Sequence, residues 1–421
     1  MNLILVTKQF NLYLKPCLNI NLMDMNSRKI IIWGVDDYNV LGLCRQFANT
    51  EFELLFIAYR GVSGCAVASK YCSKYIETST IEDGYVYLME HCADINNKAV
   101  LINSNDLIAE FIDEHSSELK QYFTITGTSV PGNVKKYDNK SVMSKLAEEI
   151  GFTVPQTITC KYDTDISGVK YPCILKPSHQ TLGRYNEFKF KVCNNSKQLK
   201  NTLRFVRPES EFLLQQYIKK EKDILVYGAR MMDGKTILAG ALIRDRFCGT
   251  GESSHGVITA NIPSCVNTSH IDLFLQKIDY YGLFSVEYGM IKDKAYFFEV
   301  NLRNDGTSHF FYQSGANIPH AWALSSLGLD YSHISTKVIG ENFYMDEIYD
   351  IQNVKEGKIT KAQWEKEKAE ATVFKYYDKN DMAPYEAMLK IKNKKLLLGT
   401  LVSKYRLYIV WLFDKLGIKR K

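Results

Sequence analysis

Short apolar runs separated by helix-length segments constrain this chain more than any other feature. Residues 29–34 (K-I-I-I-W-G) carry the unbroken hydrophobicity of a strand buried on both faces, and residues 40–47 behind them have helical spacing. Residues 53–58, 99–103 and 123–126 repeat the strand pattern. Strands alternating with helices predict an open parallel sheet with covering helices. Gly34 and Gly42 flank the first strand–helix turn without a G-x-G-x-x-G, so structure alone explains them and a dinucleotide site is weakly supported. This unit is placed at residues 26–128, and residues 1–25 are read as an extension.

A different pattern begins near Val130. Pro131-Gly132 signals a turn, and Val142, Met143, Leu146, Ala147 and Ile150 form an amphipathic run that Gly151 caps. Strands are expected at 152–160, 171–176, 188–192 and 212–218. Residues 223–231 and 235–243 form a hairpin around Asp233-Gly234, and 283–290 pairs with 294–301. The region 129–340 is therefore mostly antiparallel β with intervening helices, followed by a helical, basic region at 341–421. The fold class expected is a multidomain α/β and α+β chain.

Composition narrows the function. Of 421 residues, 46% are hydrophobic and 24% charged, the balance of a folded protein rather than a disordered one. Residues 387–421 hold ten Lys/Arg against one acid, a net +9, while the whole chain is +6, so the remainder is near −3. Nucleic acid is thus not an expected partner. The ten cysteines contain no C-x-x-C pair, which fits reduced thiols in a cytoplasmic protein. The start lacks the pattern of a signal peptide, and no apolar stretch of 18 residues predicts a membrane span.

Four islands in the second region need a joint explanation. Lys176 ends the apolar run Cys173-Ile174-Leu175, placing an ammonium at the end of a buried strand. The polar segment 178–186 carries Gly183 and Arg184 and is suited to closing over phosphates, with backbone N–H groups and the two cations. Glu299 and Asn301 lie two apart on a strand and share one face, and Glu287 on the preceding strand meets them across the hairpin. Two carboxylates and an amide oxygen make a site for a hard cation such as magnesium, bound with nucleotide phosphates. Arg303, two residues further, is placed to meet a transferring phosphoryl group.

At these residues the sequence resembles the ATP-grasp superfamily, and within it the carboxylate–amine ligases similar to D-aspartate ligase. The resemblance covers about residues 29–328. It implies a Rossmann-like domain preceding the ATP-grasp fold. Y-D-N-K ending at Lys140 resembles the first phosphate-binding lysine, and P-C-I-L-K-P around Lys176 the second. F-L-L-Q-Q-Y-I, with Gln215, Gln216, Tyr217 and Ile218, resembles the interdomain strand that holds adenine, and Asp223 falls where an acid binds ribose hydroxyls. F-E-V-N-L-R with Glu287 before it matches the magnesium motif, for which manganese is a substitute. Gln216 stands where the family usually has Glu, and of the paired loop glycines only Gly183 remains.

The resemblance implies ATP-dependent joining of a carboxylate to an amine through an acyl phosphate. Lys140, Lys176 and magnesium would offset the triphosphate charge, Arg303 would stabilise the developing anions, and Arg244 or Arg246 would grip the substrate carboxylate. A second reading, an ATP-binding sensor or membrane-associated scaffold with a degenerate site, rests on Gln216 and the single-glycine loop. His179 and His309 are read as structural or exposed. Asp305 and Thr307 either line the acceptor pocket or serve the N-D-G turn.

Large apolar residues recur at helical spacing from Leu398 to Leu416 with Lys404, Arg406 and Lys415 among them. Such a helix lies on an anionic membrane or docks on protein. The membrane reading would suit a cell-envelope precursor as substrate and a place at the inner membrane face.

Overall fold

The structure is a computed structural model that describes residues 12–14, 28–62, 64–161, 163–177, 190–203, 211–248 and 252–394. The tail helix expected at 398–416, and Gly183, Arg184 and His179, lie outside the described residues.

The first sheet contains β1 (Leu12–Leu14), β2 (Arg28–Gly34), β3 (Phe52–Tyr59), β4 (Lys74–Thr78), β5 (Ala99–Asn103) and β6 (Phe123–Ile125), in the order β1-β4-β3-β2-β5-β6. From β4 to β6 every pairing is parallel, and β1 adds to β4 antiparallel. Ile30, Ile31, Ile32 and Trp33 are buried alike because helices cover both faces of the central strand. Asp37 caps the Tyr38–Gln46 helix by accepting the Asn39 and Val40 N–H groups. Part of the expected extension is thus an edge strand. Three residues pairing with a segment some sixty positions away leave no local signature.

After β7 (Gly127–Thr128), the Lys140–Ile150 helix starts on Asn139 and stops at Gly151, whose φ of 106° suits a residue without Cβ. A small antiparallel sheet follows, built from β8 (Thr157–Cys160), β9 (Cys173–Pro177), β10 (Lys191–Cys193) and β11 (Phe212–Gln216) in the order β10-β9-β11-β8. Leu175, Phe212, Leu214 and three cysteines close one of its faces against Leu199.

The large sheet contains β12 (Lys222–Arg230), β13 (Thr236–Cys248), β14 (Glu252–Thr259), β15 (Tyr280–Ile291), β16 (Lys294–Asn301), β17 (Glu341–Met345) and β18 (Val373–Phe374). Their order is β16-β15-β12-β13-β14-β17-β18, with β7 pairing at the start of β15. Both expected hairpins are present. The region from 341 onward, expected to be helical, opens with a strand that pairs antiparallel with β14 before the helices Ile351–Lys355 and Lys361–Glu370. Residues 341–374 therefore complete the sheet rather than trail from it.

One core runs from Ile30 and Phe56 of the first sheet through Trp322 and Phe311 to Leu225 and Tyr227 of the large sheet. Arg45 adds a buried polar tie: its Nε lies 3.0 Å from Asp381 Oδ2, and its Nη2 donates to the Tyr376 and Asp381 carbonyls. The C-terminal segment is thereby bound to the first unit.

Candidate functional site

Register explains how the acids meet. Glu287 of β15 lies directly opposite Glu299 of β16, and Ser285 directly opposite Asn301, so these four side chains share one sheet face. One strand over, Leu225 pairs with Glu287 and Asp223 with Gly289. Asp223 in turn pairs with Arg244 of β13. The polar patch thus runs obliquely across four strands.

Its charges compensate in pairs. Arg244 Nη2 lies 2.5 Å from Glu287 Oε2 and 3.8 Å from Asp223 Oδ2. Lys140 Nζ, from the start of its helix, lies 3.0 Å from Glu299 Oε2. Burial pushes the Glu287 carboxyl up, Arg244 opposes that, and Glu299 adds to it. Glu299 in turn raises the Lys140 ammonium against the effect of burial. Two partly buried carboxylates that face each other, each met by a side-chain cation, fit a divalent ion, which would release Lys140 toward phosphate. Among the described residues no group of three or more His, Cys, Asp or Glu converges on a metal position, and Asn301 offers an amide oxygen on the same face as the two carboxylates.

Asn301 is fixed at both ends. Its Nδ2 donates to Ser285 Oγ at 3.0 Å, and its Oδ1 lies 3.5 Å from Arg303 Nη2. Arg303 also pairs with Asp106 at the end of the first sheet and donates to the Asn304 carbonyl at 3.1 Å. Beside it, burial raises Asp138 to about 6, with Asp106 reinforcing and Lys140 opposing.

The small sheet presents Ile174 and Lys176 of β9 opposite Gln215 and Leu213 of β11 on one face. Lys176 Nζ donates to Gln215 Oε1 at 2.8 Å, and Gln215 Nε2 donates to Thr157 Oγ1 at 3.0 Å. Gln216 is exposed and accepts the Gln156 N–H at 3.4 Å. The Gln216 and Tyr217 amides are committed to the Gln156 and Pro172 carbonyls, whereas the buried Ile218 takes no backbone acceptor for its N–H among the described residues. Asp223 is 3% exposed, its Oδ2 meets Lys220 Nζ at 2.5 Å, and its Oδ1 is buried with no partner among the described residues. An unsatisfied buried carboxylate oxygen is a ready acceptor for a sugar hydroxyl.

Of the two arginines expected to grip a substrate carboxylate, Arg244 stays within the patch but is paired with Glu287 and Asp223. Arg246 is turned away. Register shifts on either side of it direct its guanidinium to Asp350 at 2.8 Å and Glu367 at 2.8 Å in the C-terminal helices. Asp305 and Thr307 bond each other and are buried, which favours the turn reading over a pocket lining. His309 is buried, which lowers its ring pKa to about 3 and keeps it neutral. Ser285 and Asp106 were not singled out in the sequence. Strand register could have disclosed Ser285, but nothing local marks Asp106.

No protein-family model matches the sequence. A D-aspartate ligase of Enterococcus faecium (strain Aus0004) is 23% identical over 311 residues, spanning 67% of this chain and 73% of that protein. Among solved structures, an N5-carboxyaminoimidazole ribonucleotide synthetase in complex with ADP matches with a TM-score of 0.62 at 13% identity, covering 80% of this chain and 86% of the other. An L-amino acid ligase from Bacillus licheniformis matches with a TM-score of 0.56 at 11% identity, covering 75% and 79%. The chain shares the fold of these solved enzymes.

Proposed function

We propose, with the ATP-grasp fold and the likeness to D-aspartate ligase as premise, that this chain is an ATP-dependent carboxylate–amine ligase. The observation that carries the reading is the Glu287–Glu299 pair beside Asn301 and Arg303, with Lys140 set against Glu299. Residues 26–128, with their parallel sheet, are the Rossmann-like domain that precedes the ATP-grasp domain in this reading.

ATP would lie between the two antiparallel sheets. Ile218 offers its backbone N–H to the adenine edge, Asp223 accepts from the ribose, and Lys140 and Lys176 meet the phosphates. Glu287, Glu299 and Asn301 would hold magnesium, which when bound offsets phosphate charge. A substrate carboxylate oxygen attacks the γ-phosphorus, the bond to the β-phosphate oxygen breaks, and ADP leaves an acyl phosphate. The amine then attacks the acyl carbon, inorganic phosphate departs, and the amine loses a proton to give the amide. Arg303, held by Asp106, is aimed to stabilise the anionic oxygens that develop in both steps.

The D-aspartate ligase likeness makes an amino acid the first carboxylate to try. Trapping tests the acyl phosphate directly. Hydroxylamine added with Mg-ATP and the right acid should yield the hydroxamate and stoichiometric ADP, and ADP formed without any hydroxamate would count against this route. No helix among the described residues is long and apolar enough to cross a membrane. The basic tail beyond residue 394 remains our proposed contact with an anionic membrane, in line with a cell-envelope precursor as substrate. Sedimentation of the full chain with anionic vesicles, compared with a chain ending near residue 394, tests it.

A further inference from the structure

We propose that Asp305 and Ser285 are positioning residues that decide which end of the Asn301 amide faces the magnesium site, an inference that rests on the ligase reading above. Asp305 Oδ1 accepts the Thr307 N–H at 2.8 Å and its hydroxyl at 2.6 Å. Asp305 Oδ2 accepts the Ser285 hydroxyl at 2.9 Å. A carboxylate accepts and a serine has one proton, so the Ser285 hydrogen is committed to Asp305. Ser285 Oγ then offers only lone pairs to Asn301, and it takes the Nδ2 hydrogen at 3.0 Å.

The amide is planar, so turning Nδ2 toward Ser285 turns Oδ1 the other way, where Arg303 Nη2 stands at 3.5 Å. Glu287 and Glu299 share this sheet face with Asn301, and with Nδ2 engaged by Ser285 the amide oxygen is the end left to meet a cation bound there. A reversed amide would direct N–H bonds at a cation, and the two orientations differ little in shape. Ser285 is fully buried and Asp305 is 8% exposed, so bulk water does not compete for these bonds. The chain from Thr307 through Asp305 and Ser285 to Asn301 therefore transmits one fixed polarity, beginning at a backbone N–H that can only donate.

Asp305→Asn tests this with little change of shape. The Thr307 N–H holds the amide oxygen of the new side chain, so its NH2 faces Ser285. Ser285 then donates toward position 301 and favours the reversed Asn301 amide. Ser285→Ala cuts the chain without reversing it. ADP affinity measured calorimetrically for the full chain, with magnesium and with EDTA, separates the outcomes. We expect magnesium to tighten ADP binding in the wild type, and both variants to lose about tenfold or more of that gain. Metal-free ADP affinity should stay close to wild type. If both variants kept the full magnesium gain, or lost metal-free affinity by the same factor, the positioning role would be overturned and the ligase reading would stand. A wild-type affinity indifferent to magnesium would overturn the metal assignment itself.

Discussion

Glu287 and Glu299 face one another directly across two paired strands, and each is met by a cation from another part of the chain, Arg244 for the first and Lys140 for the second. Like charges at such positions destabilise a strand pair, and burial makes this pair worse. The arrangement is what a site held ready for a metal and phosphates would keep at the expense of stability. Glu299→Gln should therefore leave the melting temperature of the metal-free protein unchanged or raised by a few degrees. The same variant should lower Mg-ATP turnover by about 100-fold or more. Scanning fluorimetry and ADP release on one preparation check both.

Lys176 is held by Gln215 at 2.8 Å on the face proposed to meet the phosphates. A hydrogen bond to a charged group contributes about 1.5–3 kcal/mol, so Lys176→Met should weaken ATP binding roughly 10- to 150-fold. Gln215→Ala, which only loosens the lysine, should weaken it less. Calorimetric titration ranks the two.

Glu110 predicts an unusual pH response. Burial, reinforced by Asp138, Glu114 and Asp106 and opposed by Lys135, raises its carboxyl from 4.5 to about 7. Between those values the folded chain binds a proton that the unfolded chain does not. Stability therefore falls as pH rises through this window, and the penalty is complete above about 7. Asp37 and Asp138, each raised to about 6, act in the same direction. The melting temperature should be lower at pH 8 than at pH 6, and Glu110→Gln should narrow the gap by raising the pH 8 value.

Asp381→Ala should be severe although it lies far from the sheet face. It strips from Arg45 the carboxylate 3.0 Å away, with both side chains of the pair 1–2% exposed, and leaves Asp378 at 4.0 Å as the remaining acid. An uncompensated buried charge costs about 3–5 kcal/mol. Urea unfolding should show a loss of that order, and limited proteolysis should cut first within residues 373–394.

Much of the site is legible in the sequence because strand geometry is periodic. Glu299 and Asn301 share a face by spacing alone, and the hairpin brings Glu287 to them despite a register shift just after it. Arg244 and Arg246 look equivalent by the same rule. They part because register shifts on both sides of Arg246 send it to Asp350 and Glu367, and a bulge of this kind has no local signature. Glu252–Thr259 has no strand signature in the sequence because its E-S-S-H start carries no apolar alternation, and pairing on both sides supplies its order. The Asp305–Ser285–Asn301 chain joins residues sixteen and twenty positions apart, and only the register puts them in contact.

The central claim is best tested by ADP and phosphate release from the purified full chain with Mg-ATP, against pooled amino acids and candidate amines, with Glu299→Ala beside it. Release should require one particular acid, be completed by an amine and be lost in the variant. Nucleotide that binds but is never hydrolysed with any pool, or hydrolysis that Glu299→Ala leaves intact, would contradict it.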